Sequence, residues 1–281
     1  YGDHRDLHLS IRRQRQMCIR DRFQGVPFNS SGEPVYYIKS PEGVPDQLQR
    51  QVVESVRALD RHRHEQTHDP ELLARLAAYE TAFRMQSSVP ELLDLADEPQ
   101  HIWDMYGAKP GDGSYASNCL IARRLAERGV RFIQLYHRDW DHHGDLVEHM
   151  HTCCRCTDQA SAALIMDLKQ RGMLEETLVV WGGEFGRTPM FQGKGGPGRD
   201  HHIKGFTMWV AGGNIRPGMT YGSTDELGYH AVEKPVHVRD LHATMLHLLG
   251  IDHKRFTYKF QGLDMKLTGV EEARVLHDIL A

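Results

Sequence analysis

The sequence predicts an α/β domain built on a mostly parallel sheet, and three observations carry that expectation. Val130–Tyr136 (VRFIQLY) and Thr177–Trp181 (TLVVW) are apolar, β-branched runs that suit strands. A helical stretch separates them, so the pair reads as a strand, helix, strand unit with a right-handed crossover and parallel strands. At 281 residues and 40% hydrophobic, the chain can bury the core of one large α/β domain that also carries helices.

The elements follow in chain order. Residues 1–22 are arginine-rich and show no apolar periodicity, so they are expected to pack against nothing. Within them, residues 7–22 end in RRQRQMCIRDR, which resembles a translated sequencing adapter, and the segment is expected to be non-native or disordered. Residues 23–45 are turn-rich, with one strand candidate at Val35–Ile38. Residues 46–66 and 69–86 have the spacing of amphipathic helices, the second announced by Asp69 as N-cap, Pro70 at the first helical position and Glu71 in the first turn. Pro90 and Pro99 start two shorter helical pieces, which makes 46–107 a helical insertion in a domain spanning 23–281. Ser114–Arg128 is a helix closed by Gly129.

The next helix, marked by Ala160, Ala163, Leu164 and Leu168, stops near Arg171 because Gly172 suits a left-handed cap. After the TLVVW strand, Gly182 and Gly183 let the backbone turn and present Glu184. Phe206–Val210 reads as another buried strand. A last helix starts near Arg239, with Leu241, Met245, Leu248 and Leu249 expected inward and Gly250 as its cap.

Charge and composition narrow the function. A net charge of -4 gives no basic footprint for nucleic acid, and no apolar run is long enough for a membrane span. Five cysteines, an odd number, do not describe a disulfide framework. The nineteen histidines are more informative, because many gather in HRDWDHHGDLVEHMH and GRDHH among carboxylates. In HMHTCCRC the near-adjacent positions of one helix point in different directions, which argues against a soft-metal site there. His62, His64 and His68 have no carboxylate at a convincing spacing and are expected to be solvated.

Loops that leave the carboxyl ends of parallel strands are where open α/β sheets place ligands. On that reading the loops at 137–145 and 183–188 bring Asp139, Asp141, His142, His143 and Glu184 toward one another. Carboxylate oxygens and neutral imidazoles suit zinc or manganese, and carboxylates suit calcium or magnesium. The expected metal ligands are Asp141, His143, Glu184 and His201, with Arg187 and Arg199 as planar donors to a tetrahedral substrate oxyanion.

Four ordered motifs sharpen this. DWDHHG (within it Trp140–Gly144), GEFGRTP (Gly183–Pro189), GRDHH (Gly198–His202) and DLHATMLHLLGID (Asp240–Asp252) resemble those of domain of unknown function 1501, over about residues 23–268. The segment DQASAALIMDLKQRGMLEETLVVWGGEFGR is similar to the helix-to-strand segment of the alkaline phosphatase and sulfatase superfamily. The resemblance implies a three-layer α/β/α sandwich and a metal-dependent hydrolase of sulfate or phosphate esters, acting on a small-molecule or glycan ester. It also implies export to the periplasm or beyond.

The alternative it leaves is a non-catalytic metal-binding or glycan-associated protein on the same fold. Phe185 stands where many relatives carry a histidine or asparagine ligand. The superfamily's first strand, with its early acid and nucleophile, has no counterpart in residues 1–45, so the nucleophile is unassigned. The chain is accordingly expected to be the carboxyl-terminal part of a longer protein.

Overall fold

The computed structural model of the chain describes residues 26–29, 35, 43–69, 72, 76, 80, 88–192, 196–260 and 262–281. The expectations for residues 1–22 and for a strand at 36–38 lie outside these residues. The chain divides into two compact units, Tyr1–Pro99 with Pro110–Gly113, and Gln100–Lys109 with Ser114–Ala281.

In the first unit, α1 spans Asp46–Thr67, following Pro45, and ends where His68 turns left-handed and its N–H donates to His64 O. Residues 72, 76, 80 and 88–93 are also helical. Leu72, Leu76, Val89 and Leu92 are buried, and Arg57 pairs with Glu80.

The second unit holds a layer of three helices, α2 (Gln100–Tyr106), α3 (Tyr115–Glu127) and α4 (Leu146–Gln170), with α3 and α2 both against α4. Ser114 caps α3 by accepting from Ser117 N. The sequence places 100–106 in the 46–107 helical block, but α2 clusters with the second unit and buries Ile102, Trp103 and Tyr106 there. On α4 the inward stripe is Cys153, Thr157, Ala160, Ala163, Asp167 and Leu168.

A charged network crosses this layer. Tyr106 donates to Asp167 Oδ2 at 3.0 Å, Arg123 Nε lies 3.1 Å from the same oxygen, and Arg171 Nε lies 2.6 Å from Oδ1. Glu127 completes it, taking Arg123 on one oxygen and Arg171 on the other, each at 2.9 Å. Asp167 and Arg123 are 1% and 3% exposed, so a low-dielectric site holds a carboxylate whose two oxygens both have partners. Burial, and then the Asp167 charge beside it, drives the Tyr106 hydroxyl far above the usual tyrosine range.

Among the described residues the mostly parallel sheet of an alkaline phosphatase or sulfatase-like three-layer sandwich does not form. Among the described residues every strand belongs to a two-stranded antiparallel sheet. The strand read at 177–181 is β1 (Val179–Trp181). Its partner is not the segment before α4 but β4 (Trp209–Ala211), in the register Val179↔Ala211, Val180↔Val210 and Trp181↔Trp209. Val130–Tyr136 is no strand at all, and its Phe132 and Tyr136 are 73% and 68% exposed. Apolar β-branched composition marks a chain able to join a ladder, but strand pairing is decided by a partner elsewhere. Here β1 and β4 satisfy each other, and stacking of Trp181 on Trp209, 6.1 Å apart and 6° from parallel, favours that register.

The remaining strands are β2 (Gly186–Arg187), β3 (His201–His202), β5 (Ser223–Thr224), β6 (Ala231–Glu233), β7 (Thr257–Phe260) and β8 (Leu263–Lys266). They pair β2 with β3, β5 with β6 and β7 with β8. The last helix, α5 (Val238–Leu248), buries Asp240, Ala243, Thr244 and Leu246. Leu249, expected inward, is 49% exposed. The inward polar pair explains the difference. Asp240 accepts from His237 N and Arg274 N, while Thr244 Oγ1 donates to Asp240 O and accepts from Leu276 N. The DLHAT stretch therefore ties the carboxyl-terminal segment to α5 and turns the helix on its axis relative to a purely apolar stripe.

Candidate metal centre

Three short pieces of chain build the site. The 139–145 loop is bracketed by Asp139 and Asp145, both with left-handed backbones (φ 69° and 47°), a conformation that aspartate tolerates better than most residues. Between them the side chains diverge. His142 is 4% exposed and turns inward, its Nε2 2.7 Å from Asp139 O and 3.8 Å from Cys153 Sγ. Asp141 and His143 turn outward.

The second and third pieces are β2 and β3, whose register sets Arg187 opposite His201. Gly186 permits this pairing, because a Cβ there would run into Gly205 O and Phe206 Cβ.

The result is centred on one oxygen. Asp141 Oδ1 lies 2.8 Å from His201 Nε2, 3.0 Å from His143 Nε2 and 2.7 Å from Arg187 Nη1. Ligand atoms of Asp141, His143 and His201 all fall within 4.8 Å of one another, and these three are the cluster among the described residues that can hold a metal ion. Asp141's side chain is 56% exposed, so the site is open to water. Desolvation alone would raise its carboxyl, but the His201 hydrogen bond, with Arg187 and His143, outweighs it and holds the group below the usual carboxylate range. His143 is pushed the other way. Its Nδ1 lies 2.8 Å from Gln192 Oε1, and that hydrogen bond, ahead of Asp141, favours the protonated ring.

Glu184 stands beside the triad rather than in it. Its Oε1 accepts from Arg187 Nη2 at 3.0 Å, so Arg187 bridges Glu184 and Asp141. Phe185 packs its ring 4.8 Å from that of His201 and 5.4 Å below the Arg187 guanidinium. It orients both groups by contact. Arg199 is turned away, donating to Gly198 O at 2.9 Å, and its backbone N–H donates to His142 O. In HMHTCCRC the thiols diverge as helical geometry requires, with Cys153 buried, Cys154 half-buried and Cys156 exposed. Sequence reading missed Gln192, which lies 49 residues from His143 and belongs to no motif.

A carboxylate and two imidazoles are a donor set for a borderline divalent ion. Ion-to-ligand distances of about 2.1 Å place tetrahedral donors about 3.4 Å apart. The 2.8 and 3.0 Å contacts are therefore slightly closer than a bound ion would set them, and side chains this exposed can open by that amount.

No helix among the described residues is long and apolar enough to cross a membrane. Comparison with curated proteins and with solved structures gives no match. The model of the family described as "Protein of unknown function (DUF1501)" matches residues 19–280, and the chain belongs to that family.

Proposed function

We propose that Asp141, His143 and His201 bind a divalent metal ion, and that the protein uses it to hydrolyse a sulfate or phosphate ester of a small molecule or glycan. The observation that supports this is the convergence of a carboxylate and two imidazoles from loops 60 residues apart on one oxygen, with an arginine on that oxygen too. Such an ion supplies Lewis-acid polarisation of an ester oxygen and lowers the pKa of bound water.

The chain's own groups supply the rest. The Asp141 carboxylate stays ionised at neutral pH, as a ligand must. Arg187 has planar N–H donors that would serve a tetrahedral oxyanion if Asp141 were engaged by the ion, and its bond to Glu184 would keep it in place. Phe185 packs its ring under the Arg187 guanidinium.

The test is calorimetry of the full chain with zinc, manganese, calcium and magnesium, followed by turnover of aryl sulfates and aryl phosphates. Binding that Asp141→Asn removes, with hydrolysis of one ester class that Asp141→Asn also removes, is the expected result. A second reading, metal binding without turnover, has its own support: Trp181 and Trp209 are each 36% exposed and stacked beside Trp140, as a sugar-contacting surface would be. Tight metal binding with no hydrolysis across both ester classes would decide for it.

A further inference from the structure

The side chain that decides what His143 can do is Gln192. A neutral imidazole carries one proton, on Nδ1 or on Nε2, and only the unprotonated nitrogen has a lone pair for a metal. Nε2 is the atom that faces Asp141 Oδ1, at 3.0 Å, so coordination at the triad requires the proton on Nδ1. Gln192 Oε1 stands 2.8 Å from Nδ1, and an amide oxygen can only accept. The chain thus sets an acceptor at the nitrogen that must keep its proton.

The backbone fixes that acceptor in place. Gln192 N donates to Gly198 O at 3.0 Å and Gly198 N donates to Gln192 O at 2.6 Å, closing the glycine-rich loop with a two-way bridge. The far side of the bridge rests on the His143 backbone, since a Cβ at Gly198 would collide with the His143 carbonyl. Arg199 N donates to His142 O at 2.9 Å, and Leu146 N to Pro197 O at 2.8 Å, so the loop is clamped on both sides of His143. Only the side-chain torsions of Gln192 remain free, and the hydrogen bond to Nδ1 uses them.

We infer that Gln192 is a positioning residue for the metal centre: its amide oxygen accepts the Nδ1 proton of His143 and leaves the Nε2 lone pair facing the point shared with Asp141 and His201. The inference rests on the metal-site reading for its consequence, but the preference that Gln192 imposes at Nδ1 can be read without metal once Asp141, the competing acceptor at Nε2, is removed.

Nitrogen-15 NMR of the imidazoles reads the tautomer directly when it is recorded on the metal-free full chain carrying Asp141→Ala, which removes the competing acceptor at Nε2, at a pH where His143 is neutral. In that background, Gln192 itself and Gln192→Glu are expected to show His143 protonated at Nδ1, because both present an acceptor oxygen there. In Gln192→Leu, which removes the acceptor and keeps the bulk, the Nε2-protonated form should dominate. Zinc titration of the three corresponding proteins with Asp141 intact should then show Gln192→Leu weaker by roughly 10–100-fold, the usual cost of losing an outer partner of a ligating histidine. Gln192→Glu should bind at least as tightly as wild type.

An unchanged tautomer in Gln192→Leu overturns the inference whatever zinc does. So does zinc affinity within twofold of a wild type that binds. If the wild type binds no metal while the tautomer shifts as expected, the role of Gln192 stands and the metal reading falls.

Discussion

Two carboxylates in the second unit each gather three donors, and the contrast between them separates stability from function. Asp167 takes Tyr106, Arg123 and Arg171 on both of its oxygens and is 1% exposed. Asp141 takes His143, His201 and Arg187 on a single oxygen and has a side chain 56% exposed. Around Asp167 the donors come from three packed helices and cancel a buried charge, an arrangement that the fold needs once that charge is inside. Around Asp141 the donors sit in water, where ion pairs are worth about 0–1 kcal/mol. Stability gives little reason for two histidines and an arginine to crowd one exposed oxygen. Affinity for a ligand does.

The largest expected effect breaks the first member of the comparison. Asp167→Ala strands Arg123 in the helical layer without its buried counter-charge, and the loss should be about 3–5 kcal/mol in urea unfolding. A loss below about 1 kcal/mol would mean that water reaches the network and that the two carboxylates differ less than their burial implies. Asp141→Asn is the matched change at the open site. Its unfolding free energy should stay within about 0.5 kcal/mol of wild type, as exposed substitutions do. Zinc affinity, measured by calorimetry, should fall beyond the roughly 100-fold upper range for loss of an outer partner.

The helices were legible because their signals are local. Asp69 aside, whose helix is described only in part, the caps that a reader can see are the caps that form: Ser114 opens α3, and Gly172 follows the end of α4. The sheet was not legible, since nothing in VRFIQLY states which strand will pair with TLVVW, and the chain pairs TLVVW with WVA instead. Asp141, His143 and His201 were readable as short motifs with ligand chemistry. The buried set was hidden for a related reason: Asp167 sits on α4's inward stripe between Ala163 and Leu168, where an apolar pattern draws the eye past a charge. Gln192 carries no signal of its own, because a single glutamine gains meaning only from a neighbour 49 residues away.

Arg187 sharpens the comparison from within the open site. It serves as counter-charge to Asp141 and Glu184 when no metal competes, much as Arg123 serves Asp167, but from a half-buried position, its side chain 23% exposed. Arg187→Leu should therefore leave metal affinity unchanged or raise it, since a competing cation is gone. Sulfate or phosphate affinity of the metal-loaded protein should fall by roughly 10–100-fold, matching the 1.5–3 kcal/mol of a hydrogen bond to a charged group. Metal affinity that drops with the arginine would show that Arg187 orients Asp141 for the ion, and the competition argument would fail.

A third carboxylate tests whether exposure alone decides the matter. Asp225 is half-buried, its side chain 31% exposed, and its donors are local: Tyr229 N at 2.7 Å and His230 N at 3.0 Å, with the His230 ring 3.4 Å away. Those hydrogen bonds, the Tyr229 one first, hold its carboxyl below the usual range. A folded pKa below the unfolded value, about 3.9, means that ionised Asp225 favours the folded state above that value. The contribution is lost as pH falls through the folded pKa. Asp225→Asn keeps the shape and an acceptor oxygen but removes the charge, so it should be slightly less stable than wild type at pH 6, and the gap in urea midpoint should close toward pH 3. A gap of equal size at both pH values would assign the effect to hydrogen-bond geometry instead of charge. If the gap closes, Asp225 is a partly exposed carboxylate whose partners serve its own turn, which leaves Asp141, with partners 46 and 60 residues away, as the one whose convergence calls for a ligand.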